Sequence, residues 1–270
     1  MSEKLSKANQ SLEKAFTLIE VLAANSTPMR LTAAAQAAGL PPSTAMRLLH
    51  TLETMGYVEQ SDKTLRYSLS RKFGALCEVT KEKTDLTVLA HPIMAQLSAS
   101  VRECVCLGEE QDGQVVYLDC VEPEGSTLLQ RCVRIGKRAP LYCTAQGKFF
   151  LSSNYTSDAL GKYMRRNVIQ PFTPATLVSL NEMQMELNRC ERHGYALDSE
   201  ECELGISCMA VGIWDYTQRV IAAISVVAPV ERLSTARVRA LYTVVQDAAE
   251  EISKRMGFRG EFPRGDFNFD

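Results

Sequence analysis

Residues 40–60 read LPPSTAMRLLHTLETMGYVEQ. Two prolines and a Ser-Thr pair precede a helical pattern that stops at Gly56 and runs into a strand. Ala45, Leu48, Leu49, Leu52 and Met55 recur at the i, i+3, i+4 spacing of one buried helix face. The other face offers Ser43, Thr44, Arg47, His50 and Thr51. Such a face is either simply solvated or pressed against something polar and repetitive, and a DNA groove is one such thing.

The neighbours on both sides weigh in. QSLEKAFTLIEVLAAN (10–25) spaces Leu12, Phe16, Ile19 and Leu22 as a helix, with Ser11 as the expected cap and an exit near Asn25 and Pro28. LTAAAQAAGL (31–40) is a short Ala-rich helix that ends at Gly39. GYVEQSDKTLRYSLS (56–70) reads as a hairpin: Val58 alternates with Gln60, and Leu65, Tyr67 and Leu69 with Arg66 and Ser68, across the polar turn SDKT. Helix, helix, short turn, helix and two-stranded wing is the winged helix-turn-helix order. In that setting Ser43 and Thr44 at the helix start can bond phosphates beside the free N–H groups there. Arg47, one turn in, can fork onto guanine edges. Lys63 and Arg66 on the wing add phosphate or minor-groove contacts.

Residues 71–102 look helical with a break near His91-Pro92 and form the candidate linker. Beyond them CVCLGEEQDGQVVYLDCVE (104–122) is two alternating strands joined at Asp112-Gly113, a strong hairpin signal. STLLQRCVRI (126–135) reads as another strand, and TAQGKFFLSS (144–153) opens a helix after the turn GKRAPLYC. Thr144 can cap that helix, leaving the N–H groups of Ala145, Gln146 and Gly147 to hold either water or a carboxylate. VSLNEMQMELNRCERHGY (178–195) is an amphipathic helix stopped by Gly194. SCMAVGIWD and VIAAISVVAP are apolar strands hinged at YTQR, and a last helix runs over about 234–256. An antiparallel sheet flanked by helices fits this α+β order. The tail FRGEFPRGDFNFD is Gly/Pro-rich and expected to fray.

Charge and cysteines narrow the class. The chain has 270 residues and a net charge of −2, unpromising for a nucleic-acid binder. Residues 1–75, however, hold nine Lys+Arg against six Asp+Glu, so a mildly basic front sits on an acidic body. The nine cysteines lack framework spacing, and most fall in apolar runs where Cys acts as a small core residue. With no C-x-x-C and three histidines, no metal site is expected, and no cofactor. The polar opening MSEKLSKANQ is no signal peptide, and no apolar run is long enough to span a bilayer, so a reduced cytoplasmic protein without membrane contact is expected. Enzyme chemistry could be built from Cys208 with His193, or from Asp198 with Glu200 and Glu201. Cys208 sits mid-strand, however, and no nucleophile elbow appears, so no catalytic residue is assigned.

Several segments, in order, resemble the IclR-type bacterial transcriptional regulators. QSLEKAFTLIEVLA is similar to the family's opening helix, and LTAAAQAAGLPPSTAMRLLHTLETMGYVEQ to its helix-turn-helix and wing entry. RIGKRAPLYCTAQGKFFLS resembles its effector-loop signature. ERHGYALDSEECELGISCMAVGIWD with VIAAISVVAP resembles its C-terminal signature. The resemblance covers about residues 10–257. It implies a DNA-binding domain over 9–70, a helical dimerising linker over 71–90, a GAF-like effector domain over 91–258 and a tail over 259–270. Members of such a family form dimers or tetramers on palindromic operators, and many answer to small organic acids. By the match, Asp198, Cys208 and Ser225 join Ala145 and Gln146 in the effector pocket, with Leu128, Ala139 and Ile206 as apolar lining. Val227 departs from the Ser of some small-acid-binding relatives, so a larger or more apolar acid fits as well as a glyoxylate-like one. The expectation is a repressor of a catabolic operon. Its alternative is a ligand-sensing module acting through protein contacts.

Overall fold

The computed structural model describes residues 9–25, 27–81, 85–125 and 135–265. The predicted strand over 126–135, and Leu128 with it, falls almost wholly outside them. The chain divides into two units at Lys83/Thr84.

In the first unit, α1 (Gln10–Ala24), α2 (Leu31–Ala37) and α3 (Pro42–Thr54) pack over a sheet of β1 (Met29–Arg30), β3 (Arg66–Leu69) and β2 (Val58–Gln60), in that order. Leu18, Leu22, Ala34, Ala35, Ala45, Leu49, Leu52, Val58 and Tyr67 form its core. Leu12 and Phe16 are 58% and 53% exposed, because the core of this unit meets α1 only from Leu18 onward. Several expectations are corrected here. The cap of α1 is Asn9, whose side chain reaches the N–H groups of Ser11 and Leu12. Met55 is exposed: the helix stops at Thr54, and Gly56, at φ 78°, turns the chain away. Leu65 is likewise exposed, held at φ 56° in the turn where its N–H bonds Ser61 O, so the strand alternation starts at Arg66. The two-residue β1, too short to leave a pattern, was not foreseen. The helix α4 (Lys72–Lys81) docks onto this unit, with the Phe73 ring 5.2 Å from Tyr57 and Lys72 Nζ donating to Met55 O.

The second unit is a six-stranded antiparallel sheet with helices on both faces. Its strands are β4 (Cys104–Gln111), β5 (Gln114–Val121), β6 (Arg138–Pro140), β7 (Ala196–Ser199), β8 (Ile206–Trp214) and β9 (Val220–Pro229), ordered β6-β5-β4-β9-β8-β7. The β4–β5 hairpin turns at Asp112-Gly113, both at positive φ, as the dipeptide predicts. One face carries α5 (Leu86–Val101) and α9 (Thr235–Arg255), which bury Met94, Leu97, Tyr242, Val245 and Ile252 against Val105, Leu107, Val211 and Ile224. The other face carries α6 (Ala145–Asn154) and α8 (Leu180–His193), with α7 (Ser157–Arg166) beside them.

The expected break at His91-Pro92 does not occur. Asp85 caps α5, and the helix runs through Pro92 because burial of Ala90, Ile93, Met94 and Leu97 outweighs one lost backbone bond. Nor does the tail fray as far as it is described. Phe258 and Phe262 are buried against Trp214, and Tyr242 Oη accepts from Gly265 N–H at 2.9 Å.

Candidate functional site

The start of α6 sits over the middle of the sheet. Thr144 Oγ1 donates to Pro140 O and accepts from Gly147 N–H at 3.1 Å. That corrects one expectation: the cap occupies Gly147 N–H, so the N–H groups of Ala145 and Gln146 are the two left without an acceptor among the described residues. The Gln146 side chain pins the helix start to β4 and β9. Its Nε2 donates to Cys106 O at 3.0 Å and to Ser225 Oγ at 2.9 Å, while its buried Oε1 has no partner among the described residues.

A cavity of about 40 Å³ opens there, lined by Tyr117, Thr144, Ala145, Gln146, Asp198, Cys202, Glu203, Ile206, Cys208, Ser225 and Val227. That is room for about three waters, so a ligand of several carbon atoms must displace side chains to enter. Of the residues expected here, Ala145, Gln146, Asp198, Ile206, Cys208 and Ser225 are brought together. Ala139 is not: it pairs with Val115 at the β6 edge and is absent from the lining. Sequence reasoning missed Tyr117, Cys202 and Glu203. The register of β4 against β5 shifts between Leu107 and Gly108, leaving Leu118 unpaired, so Tyr117 and Cys120 share a face that strict alternation would separate.

Beneath the cavity lies a buried ionic network. Lys148 is fully buried, with Nζ 3.1 Å from Glu186 Oε1 and 2.5 Å from Glu201 Oε1. Burial alone would pull the Lys148 ammonium down, but the Glu201 and Glu186 carboxylates hold it above its ordinary value. Burial likewise opposes ionisation of Glu186, yet Arg189, which forks onto it, and Lys148 keep it below the usual range. Glu201 stays raised by burial, and its second oxygen finds no partner among the described residues. Two cations thus serve three carboxylates, and Asp198 is left short.

Asp198 accepts Glu201 N–H at 2.8 Å and is pushed up to about 7 by burial and by the Glu201 charge. Its proton is therefore held more tightly folded than unfolded. The stability it contributes is fully present below about pH 4 and is lost as pH rises through about 7. Asp198→Asn keeps the acceptor and removes the titration. It should lose less stability than the parent between about pH 4 and about pH 8, and exceed it by on the order of 2 kcal/mol at the upper end. Parallel urea-unfolding curves across that range would refute the assignment.

In the first unit, Ser43, Arg47, His50 and Thr51 are exposed along α3 and Thr44 is half-buried. The helix starts at Pro42 with no side-chain cap, and Thr44 N–H bonds Pro41 O, which leaves Ser43 N–H without an acceptor among the described residues. Thr51 spends its hydroxyl hydrogen on Arg47 O, so it faces outward as an acceptor. Lys63 is exposed at the wing tip, whereas Arg66 is partly committed, donating to Pro28 O at 3.1 Å.

Two family models match the chain: the IclR helix-turn-helix domain over residues 11–62 and the bacterial transcriptional regulator IclR C-terminal domain over residues 78–254. The chain belongs to the IclR family. Relatives include the DNA-binding transcriptional repressor YiaJ of Escherichia coli, 31% identical over 93% of this chain and 89% of that protein. The transcriptional repressor IclR of the same organism is 30% identical over 92% of this chain and 90% of that one. Among solved structures, IclR of Thermotoga maritima superposes with a TM-score of 0.61 at 27% identity, covering 92% of this chain and 99% of that one. An IclR homologue of Microbacterium hydrocarbonoxydans, solved with 4-hydroxybenzoate, shares the fold at a TM-score of 0.58 and 20% identity, over 92% and 99% of the two chains. This IclR-family chain is thus a DNA-binding transcriptional regulator. Among its described residues no helix is long and apolar enough to cross a membrane.

Proposed function

We propose that this regulator is a repressor that reads a palindromic operator as a dimer or tetramer and is released by a small carboxylate. The observation that carries the effector reading is the pair of N–H groups, Ala145 and Gln146, that lack an acceptor among the described residues at a capped helix start opening on a cavity. Ser225, which accepts from Gln146, keeps its own hydrogen to donate to the same anion. A neutral Asp198 adds a further donor, and its proton spares the acid a facing negative charge. The 30–31% identity to two repressors supports repression.

For DNA, α3 supplies Arg47 and His50 to base edges, Ser43 and Thr44 to phosphates and Thr51 as an acceptor, while Lys63 and Arg66 serve the wing. One reading helix per subunit requires a dimer with half-sites about one helical turn apart. The exposed Leu12 and Phe16 of α1, together with residues 71–90, suit the dimer contact.

Gel-shift titration on the chain's own upstream DNA tests both halves. Arg47→Ala should cost roughly 1–3 kcal/mol at the operator and relax one base position per half-site. Lys63→Ala should weaken specific and random DNA alike and reduce the salt slope by about 1. Ser225→Ala should leave operator affinity intact and weaken the carboxylate that releases it by roughly 0.5–1.5 kcal/mol. Full operator affinity in Arg47→Ala would move the reading face elsewhere.

A further inference from the structure

The cavity has a fixed side and a side that can give. Tyr117, Ile206, Cys208, Ser225 and Val227 belong to the sheet, and the start of α6 is pinned by Gln146 and Thr144. Cys202 and Glu203 come instead from the turn between β7 and β8, whose ends, Glu200 and Gly205, lie at φ 60° and 80°. That turn closes on itself, with Gly205 N–H donating to Glu200 Oε1 and Ile206 N–H to Glu203 O, so it forms one piece. An acid too large for the cavity must push this piece outward, because the sheet cannot part without losing its ladder.

What holds the piece in place is the segment joining α7 to α8. Of residues 170–176 only Thr173 and Thr176 are buried, and the apolar anchorage comes from Ile169 and Leu177 on either side. Both threonines aim a hydroxyl hydrogen at the turn: Thr173 Oγ1 donates to Glu200 O at 2.6 Å, and Thr176 Oγ1 to Glu201 O at 2.6 Å. The same hydroxyls accept from the N–H groups of Ala175 and Thr173, which fixes their direction. A few residues earlier, Tyr142 Oη donates to Gln170 O and accepts from Gln170 N–H, both at 3.0 Å, while Phe172 stacks on the Tyr142 ring. Tyr142 leads into the capped start of α6. Segment 170–176 thus bridges the two sides of the cavity, and hydrogen bonds rather than apolar burial hold it there, the mark of a part that opens locally.

We propose that residues 170–176 are a clasp that sets which acids the cavity admits, with Thr173 and Thr176 as its pins. Clasped, the cavity takes an acid of the size of acetate, whereas an aromatic acid such as benzoate binds only with the turn released. The apparent affinity for the larger acid is then its intrinsic affinity reduced by the fraction of molecules whose clasp is open. Removing a pin leaves Glu200 O or Glu201 O without its donor in the clasped form, while the open form offers that oxygen water, so the open fraction rises. This inference rests on the effector reading above and adds to it the residues that decide ligand size.

Titration calorimetry on the full-length protein, with acetate and with benzoate, tests the clasp. Thr173→Val and Thr176→Val keep the side-chain shape and remove the donor. Each should strengthen benzoate binding relative to acetate by roughly 2–10-fold, the worth of one net hydrogen bond, and the double variant by more than either. Thr176→Ser keeps the hydroxyl and should retain the wild-type ratio. In the wild type, saturating benzoate should speed amide exchange over 170–176, and acetate should not. A purely structural role would lower Tm in both Val variants and leave the ratio of the two acids where it was. That outcome, or benzoate binding that weakens against acetate, overturns the proposal. Where a Val variant fails to fold, exchange in the wild type decides: protection over 170–176 that benzoate leaves unchanged overturns it as well. Acetate binding with an unshifted ratio sinks the clasp and leaves the effector reading standing, whereas no binding of either acid to the wild type sinks both.

Discussion

Lys148→Met should lower the unfolding free energy of the second unit by about 3–5 kcal/mol, the range for breaking a buried charge network from one side. Methionine fills much of the same volume, so the loss is electrostatic rather than a cavity. Without the ammonium, Glu186 keeps Arg189, but Glu201 and Asp198 face each other with no cation between them. Both acids are already raised, and removing Lys148 raises Glu201 further. Groups with raised folded values lose their stabilising contribution as pH rises, so the defect should be smaller at about pH 5 than at about pH 8. Adding Glu201→Gln should recover part of the loss, since the uncompensated charge then disappears. Urea unfolding of the three proteins measures this. A single-variant loss under about 1 kcal/mol, or a defect that deepens on acidification, would mean that the network carries no such energy.

Local patterns carried most of the fold, because they were written in consecutive residues. The face of α3 that holds Arg47 and His50 follows from 3.6-residue spacing, and the β4–β5 turn follows from Asp112-Gly113. What stayed hidden was non-local. Lys148 in GKFF reads as an ordinary surface lysine, yet its counter-charges lie 38 and 53 residues away. Tyr117 and Cys120 reach the cavity side only through the register shift opposite Leu107 and Gly108. Leu12 and Phe16 share the helical stripe of α1 with Leu22, but the stripe does not say where along the helix the core of the unit ends. Phe258 and Phe262 sit in a Gly/Pro-rich stretch whose composition suggests fraying, while Trp214, more than forty residues earlier, supplies the surface that holds them.

Gly147→Ala should destabilise the second unit by about 3 kcal/mol, the upper part of the overpacking range, although helix propensity alone predicts a gain. Alanine in a helix interior is favoured over glycine by roughly 0.5–1 kcal/mol. At Gly147, however, a Cβ would lie 2.3 Å from Leu141 Cα and 2.3 Å from Leu141 O, and both are backbone atoms. The helix cannot back away cheaply. Thr144 holds it to Pro140 O, and Gln146 holds it to Cys106 O and Ser225 Oγ. Relief must come from the first turn, where the Ala145 and Gln146 N–H groups would be displaced from the cavity. Gly161 in α7 is the matched control. There an added Cβ meets only the far end of the Arg165 side chain, at 3.4 Å, so Gly161→Ala should follow propensity and stabilise modestly. The two substitutions are chemically identical and should move the denaturation midpoint in opposite directions. If Gly147→Ala also raised it, the close approach of Leu141 to the helix start would not exist, and the geometry argued for the cavity would fall with it.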